Sequence, residues 1–106
     1  PACNPYLAFA VMLTVGLTGM EKGYKLPEPV EEDIYHLDAA KRRRLGIKTL
    51  PGNLYEAIQE FEKSKLMREA LGDHIFSKLL ENKQIEWDRY RIQVTQYEVD
   101  RYLPVL

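Results

Sequence analysis

Cysteine is nearly missing from this chain of 106 residues: it occurs once, as Cys3. That excludes an internal disulfide framework and any thiolate zinc cluster, and it suits a reducing, cytoplasmic setting. No histidine lies near Cys3 in sequence to make it a nucleophile, so a buried or bystander thiol is expected. An excess of charge of either sign is also missing. Fifteen Lys and Arg face sixteen Asp and Glu, a formal net charge of −1, whereas nucleic-acid binders carry a basic surplus. No uninterrupted run reaches the ~20 apolar residues of a membrane span. No basic segment precedes the apolar opening, which argues against a signal peptide. There is no phosphate-binding glycine loop, no CxxC, no GxSxG and no alternating strand pattern. The two histidines, His36 and His74, are isolated, and neither sits one helical turn from another metal-ligand type. No catalytic, cofactor-binding or metal-ligating residue is therefore nominated.

What remains is helical. Hydrophobic residues make up 45% and charged residues 29% of the chain, the composition of one globular domain. The opening, NPYLAFAVMLTVGLTG, has Thr14 as its single polar side chain between Tyr6 and Val15. Asn4 is a suitable N-cap, Pro5 fits the first helical position and Gly23 can close the helix. Such a helix is expected to be buried on all sides. That is more burial than 106 residues comfortably supply, so the chain is expected to be a piece of something larger, cut just before this helix.

Pro27 and Pro29 then enforce extended backbone. The acids Glu28, Glu31, Glu32 and Asp33 read as a solvated loop rather than a cation site, which would need ligands converging from several elements. Asp38 caps AAKRRRL, closed by Gly46. Its KRRR block is the one basic cluster; it could touch phosphate or RNA, but cations also favour a helix C-terminus. After the connector IKTLPG, Asn53 caps a helix with Leu54, Ala57, Ile58 and Phe61 on one face. Ser64 caps a continuation that Gly72 stops. Asp73 caps the longest helix, with the stripe Phe76, Leu79, Leu80, Lys83, Trp87, Tyr90 and Val94. Lys83 is expected to lay its stem along that stripe and send its ammonium to water. Glu86 and Asp88 can pair with Arg89 and Arg91. Thr95 and Glu98 form a capping box that launches a last short helix, ended by Pro104. Trp87 and the seven tyrosines could stack on bases or sugars, but on helical stripes they read as packing residues. The expectation is an all-α fold, with helices near 4–22, 38–45, 53–62, 64–71, 73–94 and 95–103.

Four stretches in order, NPYLAFAVMLTVGLTG, PEPVEEDIYHL, LPGNLYEAIQEFEKSKLMREALGDHIF and EWDRYRIQVTQYEVDRY, resemble glutamine synthetase of the prokaryotic type I. The first includes Ala2, Asn4, Pro5, Tyr6, Leu7, Ala8, Phe9, Ala10, Met12, Leu13, Gly16, Leu17 and Gly19. The resemblance covers essentially all of 1–106 and implies one domain assignment, an irregular multi-helix C-terminal part of the catalytic domain. It implies that the full enzyme joins ammonia to glutamate with ATP through γ-glutamyl phosphate, using Mg2+ or Mn2+. It also implies that the catalytic residues lie upstream. The implied partners are the upstream part of the same catalytic domain, further copies in a dodecamer of two stacked hexamers, and a nitrogen-regulatory protein. Nucleic acid and membrane are not among them.

The tail residues Tyr97, Val99, Tyr102, Leu103, Val105 and Leu106 would reach across to the opposite ring. Tyr35 occupies the position that one subclass adenylylates, while the downstream sequence resembles the subclass that is not adenylylated. The competing reading is a stand-alone helical interaction module.

Overall fold

A computed structural model describes residues 3–105. Pro1 and Ala2, at the start of the matched motif, and Leu106, the last apolar residue of the tail, lie outside the described residues. Every regular element among those described is helical, and the chain divides into two compact units, 1–52 and 53–106.

In the first unit, α1 runs Pro5–Lys22. The Asn4 side chain accepts from the Tyr6 and Leu7 amides at 3.0 and 3.4 Å, covering two of the donors a helix start leaves open. The other end closes with a reciprocal pair: Gly23 N–H donates to Met20 O and Tyr24 N–H to Gly19 O, each at 3.2 Å. The Tyr24 ring fills the space beside Gly19, 3.7 Å from where a Cβ would stand. The Thr14 hydroxyl donates to Ala10 O at 2.9 Å, so the one polar side chain in the apolar run is satisfied within the helix.

Extended chain follows, then a 3-10 turn at Ile34–His36 and α2 at Ala39–Arg44. On sequence alone this turn reads as part of a loop. Asp33 creates it: its Oδ1 accepts from the Tyr35 amide at 3.0 Å, a local competition that short acidic side chains win readily. Asp38 caps α2 through the Lys41 amide at 2.7 Å. Ile47 and Gly46 N–H close it on Arg42 O and Arg43 O, the same two-bond ending as in α1.

In the second unit, α3 (Leu54–Lys63) and α4 (Lys65–Arg91) pack against each other. Asn53 caps α3 through the Glu56 amide at 2.9 Å. Ser64 ends α3 and starts α4: its N–H donates to Phe61 O and its hydroxyl accepts from the Met67 amide. Pairing of Phe61 with Phe76 and of Tyr55 with Trp87 shows that the two helices run antiparallel. The core holds Ile58, Leu71 and Phe76, the last fully inaccessible at 0%.

Within α4, Gly72 leaves helical geometry, at φ 74° and ψ 156°. Arg68 spans that interruption, donating to Asp73 Oδ1 at 2.8 Å. The Asp73 carboxylate, expected as a cap, is thereby engaged by a side chain. Two further expectations are corrected. The Lys83 ammonium reaches the surface as expected but pairs there with Glu86 at 2.6 Å, and Glu86 therefore serves Lys83 and not the arginines that follow. The stripe also stops early: Trp87 is half-buried, but Tyr90 and Val94 are exposed, because α3 begins only at Leu54 and has no residue left to cover them. Asp88 and Arg91 do pair, at 2.7 Å.

The capping box is complete: Thr95 N–H donates to Glu98 Oε2 at 2.7 Å and Glu98 N–H to Thr95 Oγ1 at 3.3 Å. It starts α5, Gln96–Tyr102. α5 ends at Tyr102, ahead of Pro104, which itself sits inside a 3-10 turn, Leu103–Val105.

Candidate functional site

The surfaces that stand out are apolar. No residue of α1 is buried. A half-buried line runs through Leu7, Val11, Thr14 and Thr18 at helical spacing, while Tyr6, Phe9, Met12, Leu13, Leu17 and Met20 are exposed, Tyr6 at 84% and Leu13 at 65%. The helix expected to be enclosed is thus left uncovered. A contiguous apolar surface of this kind marks an interaction face. The tail presents a second one: Tyr97, Tyr102, Leu103 and Val105 are all exposed.

The acids around the Tyr35 turn are committed to local structure. Among the described residues, no three His, Cys, Asp or Glu side chains are grouped to hold a metal ion. Glu32 pairs with Lys41, Asp38 caps α2, and Asp33 holds the 3-10 turn with His36 Nδ1 at 2.6 Å from its Oδ2. The bond to His36 is the main reason the Asp33 carboxyl lies below its usual value. Cys3 is exposed, which leaves the bystander reading, and His74 is exposed in α4. Trp87 stacks on Tyr55 at 5.8 Å between ring centroids, so it serves helix packing.

Tyr35 sits at the centre of the 3-10 turn, 85% exposed, its ring edge-on to His36 at 5.2 Å. Arg42 supports this turn from α2: Nε donates to Leu37 O at 2.9 Å and Nη2 to Tyr35 O at 3.4 Å. Sequence reasoning missed that clamp, because it read KRRR as one charge block. The structure separates the block. Lys41 and Arg42 hold the turn, whereas Arg43 and Arg44 make no ion pair among the described residues.

Among the described residues no helix is long and apolar enough to cross a membrane. The described residues thus form an all-helical segment whose first helix and tail carry exposed apolar faces. A profile described as "Glutamine synthetase, catalytic domain" matches residues 1–102. Glutamine synthetases of Methanococcus voltae and Methanosarcina mazei are each 48% identical to the chain, over 99% and 100% of it. That of Thermus thermophilus is 47% identical over 97%. The chain belongs to the glutamine synthetase catalytic-domain family, as a C-terminal portion of that domain, and spans about a quarter (23–24%) of the length of these relatives.

Proposed function

We propose that this chain is the C-terminal helical part of a cytoplasmic prokaryotic type I glutamine synthetase. Its work there is structural: α1 packs inside the catalytic domain, and the tail after Thr95 docks on the opposite ring of a dodecamer. The parent enzyme makes glutamine from glutamate, ammonia and ATP by way of γ-glutamyl phosphate. Among the described residues the acids Glu32, Asp33 and Asp38 are held by Lys41, by the turn and by the α2 cap, and no three His, Cys, Asp or Glu side chains are grouped to ligate the Mg2+ or Mn2+ ions of that reaction. The observation that carries the reading is α1, an 18-residue helix with no buried residue and an apolar surface on nearly every side.

Tyr35 is the chain's candidate for adenylylation, supported by its exposure on a defined turn. The likeness of the downstream residues to the subclass that is not adenylylated supports control by feedback and by a nitrogen-regulatory protein instead. Mass spectrometry of the Tyr35 peptide from the native producer separates the two.

The central test is recombination. The 106-residue chain, supplied with ATP, magnesium, glutamate and ammonia, forms no glutamine. Mixing it during refolding with the separately expressed upstream portion of the parent restores synthesis. Turnover by the chain alone would refute the reading. A clean, dilute monomer indifferent to the upstream portion would favour a stand-alone interaction module.

A further inference from the structure

We propose that the surface between α2 and the connector after it binds a small phosphate-bearing anion. An open surface depression of about 470 Å³ lies there, lined by Ala39, Arg42, Arg43, Ile47, Lys48 and Thr49. The lining holds three cations, one hydroxyl and no carboxylate, in a chain whose overall charge is −1. The nearby acid that could neutralise it, Glu32, is taken by Lys41, and Asp38 is taken by the α2 cap. Arg43 and Lys48 have no acidic partner among the described residues.

Arg42 is fixed before any ligand arrives. Its Nε and Nη2 are tied to the carbonyls of Leu37 and Tyr35, while Nη1 makes no hydrogen bond among the described residues. A guanidinium held in place this way loses less freedom on binding an oxyanion than a free one. The C-terminus of a helix opposes an anion, but α2 is only six residues long, and the carbonyls of Lys41, Arg42 and Arg43 already accept from Leu45, Ile47 and Gly46. Several cations around one hydroxyl suit a tetrahedral dianion, and Ala39 and Ile47 can cover an organic substituent. Because Arg42 belongs both to the pocket and to the Tyr35 turn, occupancy also reaches that turn.

The test is a titration of the full chain with inorganic phosphate and with phenyl phosphate at constant ionic strength, chloride replacing phosphate in the control. Amide resonances of Arg43, Lys48, Thr49 and the Tyr35–Leu37 turn shift saturably with phosphate, and those of α3 do not. Arg43→Ala with Lys48→Ala weakens binding at least tenfold; neither residue is tied to the fold, so helicity stays unchanged. A second readout does not depend on spectral quality: phosphate, but not chloride, slows phenylglyoxal labelling of Arg43 relative to Arg91. Shifts that never saturate, equal effects of chloride, or a double variant that binds as well as the parent would each overturn the site. So would tighter, salt-sensitive binding of duplex nucleic acid with no response to phosphate. None of these outcomes touches the recombination assay, so the pocket and the packing role stand or fall separately.

Discussion

Phe61 lies flat on Phe76, with ring centroids 4.5 Å apart and planes only 14° off parallel. The two rings join α3 to α4 across the Ser64 corner, and the guanidinium of Arg68 stands 4.2 Å from the centroid of the Phe76 ring. Phe76 is thus surrounded by a ring, a cation and the aliphatic side chains of the hairpin, with no solvent contact. Phe76→Ala removes the centre of this unit. A buried Phe truncated to Ala costs about 3–5 kcal/mol. The variant is expected to lose the α3–α4 hairpin cooperatively, read as a fall in the urea midpoint by circular dichroism. Phe61→Leu keeps most of the apolar volume, and its effect is expected to stay below about 1.5 kcal/mol.

Gly72 gives a test of backbone geometry alone. At φ 74° and ψ 156° it occupies a region essentially closed to residues with a side chain, yet a Cβ there would meet nothing within 4 Å. Steric crowding cannot then explain a loss of stability. Gly72→Ala is expected to destabilise by about 1–3 kcal/mol, whereas Gly16→Ala, in the interior of α1 with equally open surroundings, is expected to raise helicity by the usual preference for alanine. Opposite signs for the two substitutions in thermal melts would verify the strain, and equal signs would contradict it.

Much of this organisation could be read from the residues. The starts and stops were legible because they depend on one or two neighbours: Asn4, Asp38, Asn53, Ser64 and the Thr95–Glu98 pair all act within one turn of chain. The break at Gly72 was legible for the same reason. What escaped were features that need distance in sequence. The Arg42 clamp spans five and seven residues, and the Arg68–Asp73 pair crosses a break in the helix. The exposure of α1 was legible as well: its residues are apolar all round and 106 residues cannot enclose it, but periodicity does not say which polypeptide covers it. The anion pocket was half legible, since the KRRR block was visible while its division into structural and uncommitted cations was not.

The carboxyl of Glu98 tests the last helix. Its value lies below the ordinary one chiefly because the Thr95 backbone N–H donates to it, with the Thr95 hydroxyl adding to the effect. A carboxylate depressed in the folded state contributes stability above its unfolded value, and that contribution disappears as pH falls through the lowered folded value. α5 should therefore fray on the acid side and remain unchanged through neutrality. Asp33 has the same sign, so the Tyr35 turn is expected to loosen in the same direction. Carbon-detected titration of Glu98 should give a midpoint below an ordinary glutamate. Glu98→Gln should abolish the acid dependence of α5 while weakening the helix at all pH values.

The uncovered apolar helix supplies the most direct prediction about role. Leu13, 65% exposed, lies outside the half-buried line of Leu7, Val11, Thr14 and Thr18. Burying a leucine side chain contributes about 1.5–3 kcal/mol, and an unpaired carboxylate in the same place costs more than that gain. Leu13→Glu should therefore act oppositely in two settings. In the separate chain it reduces self-association, seen as a smaller scattering mass at equal concentration. In recombination with the upstream portion of the parent it blocks recovery of glutamine synthesis. A substitution on a surface that faces water in the finished enzyme would leave both measurements unchanged, and that result would remove α1 from the packing role. Thr14→Val is a control with the opposite chemistry: it deletes a hydroxyl already satisfied by Ala10 O, so association and recovery should both persist.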